Sequence, residues 1–278
     1  MDSYSSTHIL DNSTYGYDAE FRGNLSGNNL KQGKYGYGLN FDGKSDYLHI
    51  GSNNIYNVDV NESITLQAWI KPKDHTDSGY FFWKEGNCLG WSMYIGAAGA
   101  IQSRLLTGTD CDNYIARSLT IDDQVYDDNN WHHVTAIIDR VNENMSMFID
   151  GNYKGSTFVG NKNGSAGGSF RIGCLWNQDN KFNGTIDEVR VFKRALSENE
   201  IMSSYQGNVY KYQNNFTDLT EEIYTFRGYT IDEGGNINTT EERIVYVDDK
   251  NPGIDFVDPT LANNAQTPRD MVEINVST

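Results

Sequence analysis

Apolar and polar residues alternate with a period of two in several stretches of this chain, and one segment departs from that pattern. In SITLQAWIKP, residues 63–72, Ile64, Leu66, Ala68 and Ile70 fall on one side and Thr65, Gln67 and Trp69 on the other. Such alternation marks a strand with one face in a core, and Pro72 ends it. YFFWKEG, GWSMYIG, AIQSRLLTG and NYIARSLTI follow, separated by turns that contain Gly. That spacing predicts a meander of short antiparallel strands in a two-sheet sandwich. WHHVTAIIDRVNENMSMFID, residues 131–150, predicts two longer strands around an Asn-rich turn, and Asp150-Gly151 opens another hairpin. Residues 37–50 hold two strand-like runs, Gly38–Phe41 and Tyr47–Ile50, about a turn at Asp42-Gly43. Residues 1–38, rich in Gly, Asn, Ser and Tyr, read as a segment that wraps a sheet edge.

The departure is FNGTIDEVRVFKRALSENEI, residues 182–201. Ile186, Val189, Val191 and Phe192 continue the strand pattern, then Leu196 and Ile201 take helical spacing, and Ser197 with Glu200 forms a capping-box signature. A buried strand is therefore expected to run into a short helix. Asp187 stands among apolar neighbours, where a carboxylate needs backbone N–H groups or a cation. Past Gly207 the texture changes to three alternating strands, so the chain divides into 1–207, 208–252 and a linker with an opening strand at 253–278. The fold class expected is all-β.

Composition narrows the partners. The formal charge of −16 and pI near 4.6 oppose nucleic acid and anionic membranes, and no run of about 18 apolar residues is long enough to cross a bilayer. Met1 is followed directly by the polar DSYSS, so no signal peptide is read. Nine N-x-S/T sequons, at Asn12, Asn24, Asn61, Asn144, Asn163, Asn183, Asn215, Asn238 and Asn275, favour a fragment of a longer extracellular or cell-surface protein over a cytosolic one. The three cysteines leave one over. In a meander the loops that hold Cys88 and Cys111 lie at the same end of the sheet, so these two are the expected disulfide and Cys174 is left free.

The succession LNFDGKSDYLHI, ITLQAWIKP, WHHVTAIID, MFIDGNYKG, FRIGCLW and GTIDEVRVFKRALSENEI resembles the laminin-G-like jelly roll of the concanavalin A-like lectin and glucanase superfold, across about residues 15–205. The tail is similar to Ig-like repeats of surface proteins. The resemblance implies two antiparallel sheets of six or seven strands. It also implies a structural Ca²⁺, with Asp187 and the Asp42-Gly43 loop as ligands and Asp18 or Asn24 contributing from the N-terminal segment. The other reading of the same residues is that Asp187 accepts N–H bonds and Asp42 makes its turn.

Catalysis finds no support. Retaining glucanases of this superfold resemble one another in an E-x-D-x-x-E strand that sets two carboxylates about 5 Å apart, a spacing missing here. Asp187 and Glu188 are adjacent and should point to opposite faces. His132 and His133 diverge for the same reason and read as core or sheet-surface residues. A binding surface is expected instead. Trp83, Trp91, Tyr94, Tyr114 and Trp176 provide aromatic faces for sugar rings; Trp176, beside Asn177, Gln178 and Asp179, is the most exposed candidate, with Trp91 and Tyr114 as further contacts. Three functions follow in order: a non-catalytic adhesion module for a glycan or a surface protein, a spacer or self-assembling unit of a surface layer, and an accessory domain of a glycoside hydrolase.

Overall fold

The computed structural model describes residues 3–52, 54–73, 77–86, 88–164, 167–175, 177, 179–207, 219–220, 222–231, 237–239, 241–248 and 253–256. The chain forms two compact units, Met1–Asn208 and Val209–Thr278. In the first unit the strands run β1 His8–Ile9, β2 Ala19–Arg22, β3 Leu30–Gln32, β4 Tyr37–Asp42, β5 Tyr47–Gly51, β6 Ser63–Pro72 and β7 Gly79–Gly86. They continue with β8 Leu89–Ile95, β9 Ile101–Gly108, β10 Tyr114–Ile121, β11 His132–Asp139, β12 Asn144–Ile149 and β13 Asn152–Phe158. Then come β14 Phe170–Ile172, β15 Asn183–Phe192 and the helix α1, Glu198–Gln206.

These strands make two antiparallel sheets. One has eight strands in the order β1-β2-β5-β14-β7-β8-β9-β10, the other seven in the order β13-β12-β11-β6-β15-β4-β3. Both are all-β sheets of a jelly-roll sandwich. The eighth strand comes from the N-terminal segment, where β1 and β2 form one edge of the larger sheet while β3 forms an edge of the smaller. The inward alternate residues, among them Leu66, Ile70, Phe82, Trp91, Met93, Met147, Phe170 and Ile186, build one continuous core.

Three details differ from the alternation read in the sequence. The Asp42-Gly43 turn is not a hairpin, because β4 belongs to the seven-stranded sheet and β5 to the eight-stranded one. Asp42 makes this crossover: its Oδ1 accepts the N–H groups of Lys44 and Ser45 at 2.8 Å and of Asp46 at 3.1 Å. Gly43 takes a φ of +69°, and a Cβ there would meet the Asn183 side chain at 2.8 Å.

The second difference lies in β6. Thr65, Gln67 and Trp69 are as buried as their inward neighbours, because α1 packs on that outer face. Leu196 and Ile201 join Ile137 and Phe148 in a small second core, and Tyr205 stacks on Trp69 with ring centres 5.6 Å apart. The helix starts where the capping box predicted: the Ser197 side chain accepts the Glu200 N–H and the Glu200 carboxylate accepts the Ser197 N–H at 2.8 Å. Burying Ile201 alone contributes about 1.5–3 kcal/mol.

The third is a β-bulge in β15 between Asp187 and Arg190, with Glu188 at a φ of +49°. Strict alternation fails there, so the expectation that Asp187 and Glu188 point to opposite faces of a regular strand is replaced by a local kink.

In the second unit β16 Ile223–Phe226, β19 Arg243–Asp248 and β20 Gly253–Phe256 form a three-stranded sheet, and β17 Tyr229–Ile231 pairs with β18 Ile237–Thr239. Residues 253–256, expected as linker, pair with β19 through Val245↔Phe256 and Val247↔Ile254.

Candidate functional site

The two outer faces of the sandwich are built differently. α1, the one α-helix among the described residues, lies on the seven-stranded sheet. A small polar cavity remains beside it, lined by Tyr35, Trp69, His133, Glu188, Arg190, Ser204 and Gly207. Trp69 closes that region from both sides, with Tyr205 on one face and the Lys34 ammonium 4.0 Å from the ring centre.

The outer face of the eight-stranded sheet carries a different set of side chains, fixed by register. Arg171 lies opposite His49 and Trp83, Trp83 opposite Ser92, Ser92 opposite Arg104, and Arg104 opposite Ser118. Next along the strands, Tyr80 lies opposite Tyr94 and Tyr94 opposite Gln102. Their inward neighbours Trp91, Met93, Ile95, Ile101 and Leu105 belong to the core, so the named residues share the outer side. Trp83 and Tyr80 form a buried floor. The Tyr80 and Tyr94 rings stack at 4.6 Å, and the Tyr94 hydroxyl donates to Gln102 Oε1 at 2.8 Å. Arg171 sits between aromatic rings, 5.5 Å from the Trp83 centre and 5.9 Å from that of Tyr47, while Lys181 Nζ lies 4.2 Å from the Tyr47 centre. Glu85 accepts from Ser92 Oγ at 3.1 Å; burial pushes its carboxyl above the usual range and the Arg104 charge opposes that shift. This face combines aromatic area with side chains that donate and accept hydrogen bonds, the inventory a sugar ring requires.

The disulfide frames one end of the face. Cys88, between β7 and β8, bonds Cys111, between β9 and β10, with Cα atoms 4.9 Å apart, and Cys174 is free and buried. Tyr114 stands just past that bridge at the start of β10 and is 44% exposed.

Other expected contacts fall elsewhere. Trp91 is in the core with no exposed surface, and its indole N–H donates to the Tyr56 carbonyl at 2.8 Å, which removes it as a ligand contact. It lies on the inward side of β8, one residue off the face that Ser92 and Tyr94 occupy. Trp176 lies outside the described residues. Asn177 and Asp179 are exposed and bonded to each other, Nδ2 to Oδ2, at 2.6 Å. Arg171, Arg104, Glu85 and Ser92 were not singled out from sequence. The alternation in GWSMYIG and AIQSRLLTG places Ser92 with Tyr94 and Gln102 with Arg104, but the bulge between Tyr80 and Phe82 hides which residues of β7 join them.

The residues expected to hold calcium do not converge. Asp187 is fully buried; its Oδ2 accepts the Tyr35 N–H at 3.0 Å and its Oδ1 the Glu188 N–H at 2.8 Å. Burial raises its carboxyl while these bonds lower it. Asp42 pairs across the sheet with Asn183, four residues before Asp187 along β15. Although burial acts against ionisation, the Ser45, Lys44 and Asp46 N–H groups bring Asp42 down to about 2. The Asn24 N–H donates to Asp46, which places Asn24 beside Asp42 and Gly43. Asp18, at the far end of β2, accepts the Asp11 N–H at 2.9 Å. The five residues thus occupy three places, and no group of three His, Cys, Asp or Glu side chains able to hold a metal exists among the described residues.

The two histidines diverge as expected. His132 is held by two carboxylates, Nδ1 to Asp150 at 2.9 Å and Nε2 to Asp128 at 3.2 Å. Against the effect of burial, these partners raise its pKa. His133 points under α1, 5.2 Å from Trp69, and burial pushes its pKa down to about 4.

A family model described as the concanavalin A-like lectin/glucanases superfamily matches residues 42–202. The protein called Non-toxic nonhemagglutinin type A, from Clostridium botulinum, is 26% identical over 126 residues, 42% of this chain and 10% of that protein. The match therefore spans about a tenth of that relative's length. Among the solved structures that share the fold are two toxin binding domains. The binding domain of Paraclostridial Mosquitocidal Protein 1 superposes with a TM-score of 0.60 at 16% identity, covering 88% of this chain and 62% of that one. The botulinum neurotoxin serotype G binding domain gives 0.55 at 15%, covering 94% and 68%.

Proposed function

This chain belongs to the concanavalin A-like lectin/glucanases superfamily, and on that premise we propose that it is a non-catalytic extracellular module that binds carbohydrate on the outer face of its eight-stranded sheet. The observation that carries this reading is the contrast between the two faces. One is sealed by α1, whereas the other carries half-buried Tyr94, Gln102, Arg104 and Arg171 over a floor of buried Trp83, Tyr80 and Glu85, with no helix over it among the described residues. That two solved structures sharing the fold are named as binding domains supports the same reading. The E-x-D-x-x-E spacing of retaining glucanases is missing from the sequence, and the module is proposed to hold its ligand without cleaving it.

The test is a glycan array probed with the intact chain and with Tyr94→Ala. Tyr94 is half-buried and accessible, and base-free stacking of an aromatic on a sugar face is lost with its ring. Binding by the parent and at least tenfold weaker binding by the variant supports the proposal. No binding to any glycan by folded protein overturns it.

Assembly through a sheet edge is a second reading. β13 is an edge strand, and its Tyr153 and Phe158 are 53% and 63% exposed, a surface that can pair with another strand. A monomer at high concentration by light scattering would remove it. Calcium binding and an Ig-like fold for residues 208–252 belong to the proposal in the same way. An ion held by this chain would draw on the Asp42 and Asn24 end or on Asp187, not on both.

A further inference from the structure

We propose that the ligand of this face is a short oligosaccharide carrying a carboxylate, gripped by Arg104 and Arg171 on either side of the Trp83 floor. The inference rests on the carbohydrate reading above and adds the charge of the sugar.

Charge distribution is the first support. The chain holds 38 Asp and Glu against 22 Lys and Arg, yet this face gathers Arg22, Arg104, Arg171 and Lys181 around Tyr47 and Trp83. Two of these cations have carboxylates beside them: Glu20 binds Arg22 at 2.6 Å, and the Arg104 charge acts on Glu85, which also accepts from Ser92, so four cations face two carboxylates among the described residues. In a protein this acidic, a local excess of cations on one sheet face needs an anionic complement.

Geometry is the second. Arg171, Trp83, Ser92 and Arg104 stand on one row across four adjacent strands. At about 4.8 Å per strand the two arginine stems are ~14 Å apart, the span of a short oligosaccharide laid across the strands. Arg171 is pre-positioned by Tyr47 and Trp83 and by an Nη1 bond to the Leu175 carbonyl at 3.3 Å, so little side-chain freedom is lost when it takes a ligand. A guanidinium presents a planar fork that fits a carboxylate with two parallel N–H bonds, which no neutral hydroxyl reproduces. Gln102, half-buried beside Arg104 on the same strand, lies in reach to accept from or donate to ring hydroxyls.

Size is set by the rest of the surface. Asp110 and Asp112 lie exposed in the β9–β10 turn, and with the net charge of −16 they repel a long polyanion. A single carboxylate within ~8 Å of an arginine, about one Debye length at physiological salt, feels the local cations more than the distant acids. The class is therefore a sugar acid at or near the end of a short chain, a uronate or a sialic-type nonulosonate.

Calorimetric titration of the full chain tests this with matched probes. These are trigalacturonate and its methyl ester, and sialyllactose and lactose. The expected result is that one acidic member binds at least tenfold tighter than its uncharged counterpart, that Arg104→Gln removes this preference, and that Gln102→Ala weakens charged and uncharged probes alike. Which acidic probe binds separates the uronate from the nonulosonate. Equal affinity for charged and uncharged members, or an acidic preference untouched by Arg104→Gln in a variant with parent-like circular dichroism, overturns the inference and leaves the carbohydrate reading intact. Absence of binding to all four probes overturns it as well; the glycan array then decides whether the carbohydrate reading falls with it.

Discussion

Replacing both Cys88 and Cys111 by Ser removes the cross-link between the β7–β8 and β9–β10 loops, and the loss can be worked from the loop it closes. The two cysteines are 23 residues apart. In the chain-entropy relation, a closed loop of that length restricts the unfolded ensemble by about 11 cal/mol/K, or ~3.4 kcal/mol at 25 °C. The stems of that loop are β7, β8, β9 and β10, whose ladders pair residue by residue from Gly79↔Ile95 to Tyr114↔Gly108. The folded meander therefore persists without the bridge, and the effect falls on the unfolded state. For a domain of this size, 1 kcal/mol corresponds to roughly 2–4 °C, which sets the expected fall in Tm at roughly 7–14 °C. Urea unfolding followed by tryptophan fluorescence measures the change directly, and circular dichroism of the folded variant should match the parent. A variant within about 1 kcal/mol of the parent would refute the reasoning, since the bridge would then close a loop that is already restricted when unfolded. A lost dichroism spectrum would refute it differently, by showing that the bridge shapes the native meander.

The neighbouring histidines predict a stability maximum near pH 6.5. His132 has a raised folded pKa, so its contribution is complete below the unfolded value of about 6.5 and is lost as pH rises through the folded value. His133 is buried neutral with a pKa near 4, so its contribution is complete above about 6.5 and is lost as pH falls from there towards 4. Urea midpoints between pH 4 and 9 check both limbs, and His132→Gln should flatten the alkaline one alone. Ser197→Ala removes the α1 cap and should cost about 1 kcal/mol, with glycan binding unchanged because α1 lies on the opposite sheet; a simultaneous loss of binding would contradict the placement of the site. For calcium, an ion at 100 times its Kd adds about 2.7 kcal/mol, so a Tm that does not move on adding EDTA and then excess Ca²⁺ withdraws that proposal.

Much of the fold was legible because it rests on local rules. Period-two alternation marked β6, Gly-containing turns marked the meander, and Ser197 with Glu200 marked the start of α1, each a property of a few adjacent residues. The disulfide followed from counting hairpin reversals. Alternation, however, says only that two faces differ. It does not say whether the second face is covered as well, so that Thr65, Gln67 and Trp69 are buried beneath α1 is known only from the fold. Bulges break the count of two: the one between Tyr80 and Phe82 turns Lys84 inward opposite Phe170 and Trp91 and Trp83 outward beside Arg171. Likewise the single turn at Asp42 sends β5 into the other sheet, a choice made by three long-range ladders and not by the turn residues. The candidate site shows the division most clearly. Its aromatics were visible as residue types, but Arg171, Trp83, Ser92 and Arg104 become one row only because strands far apart in sequence pair in one register, and register is a property of the folded sheet.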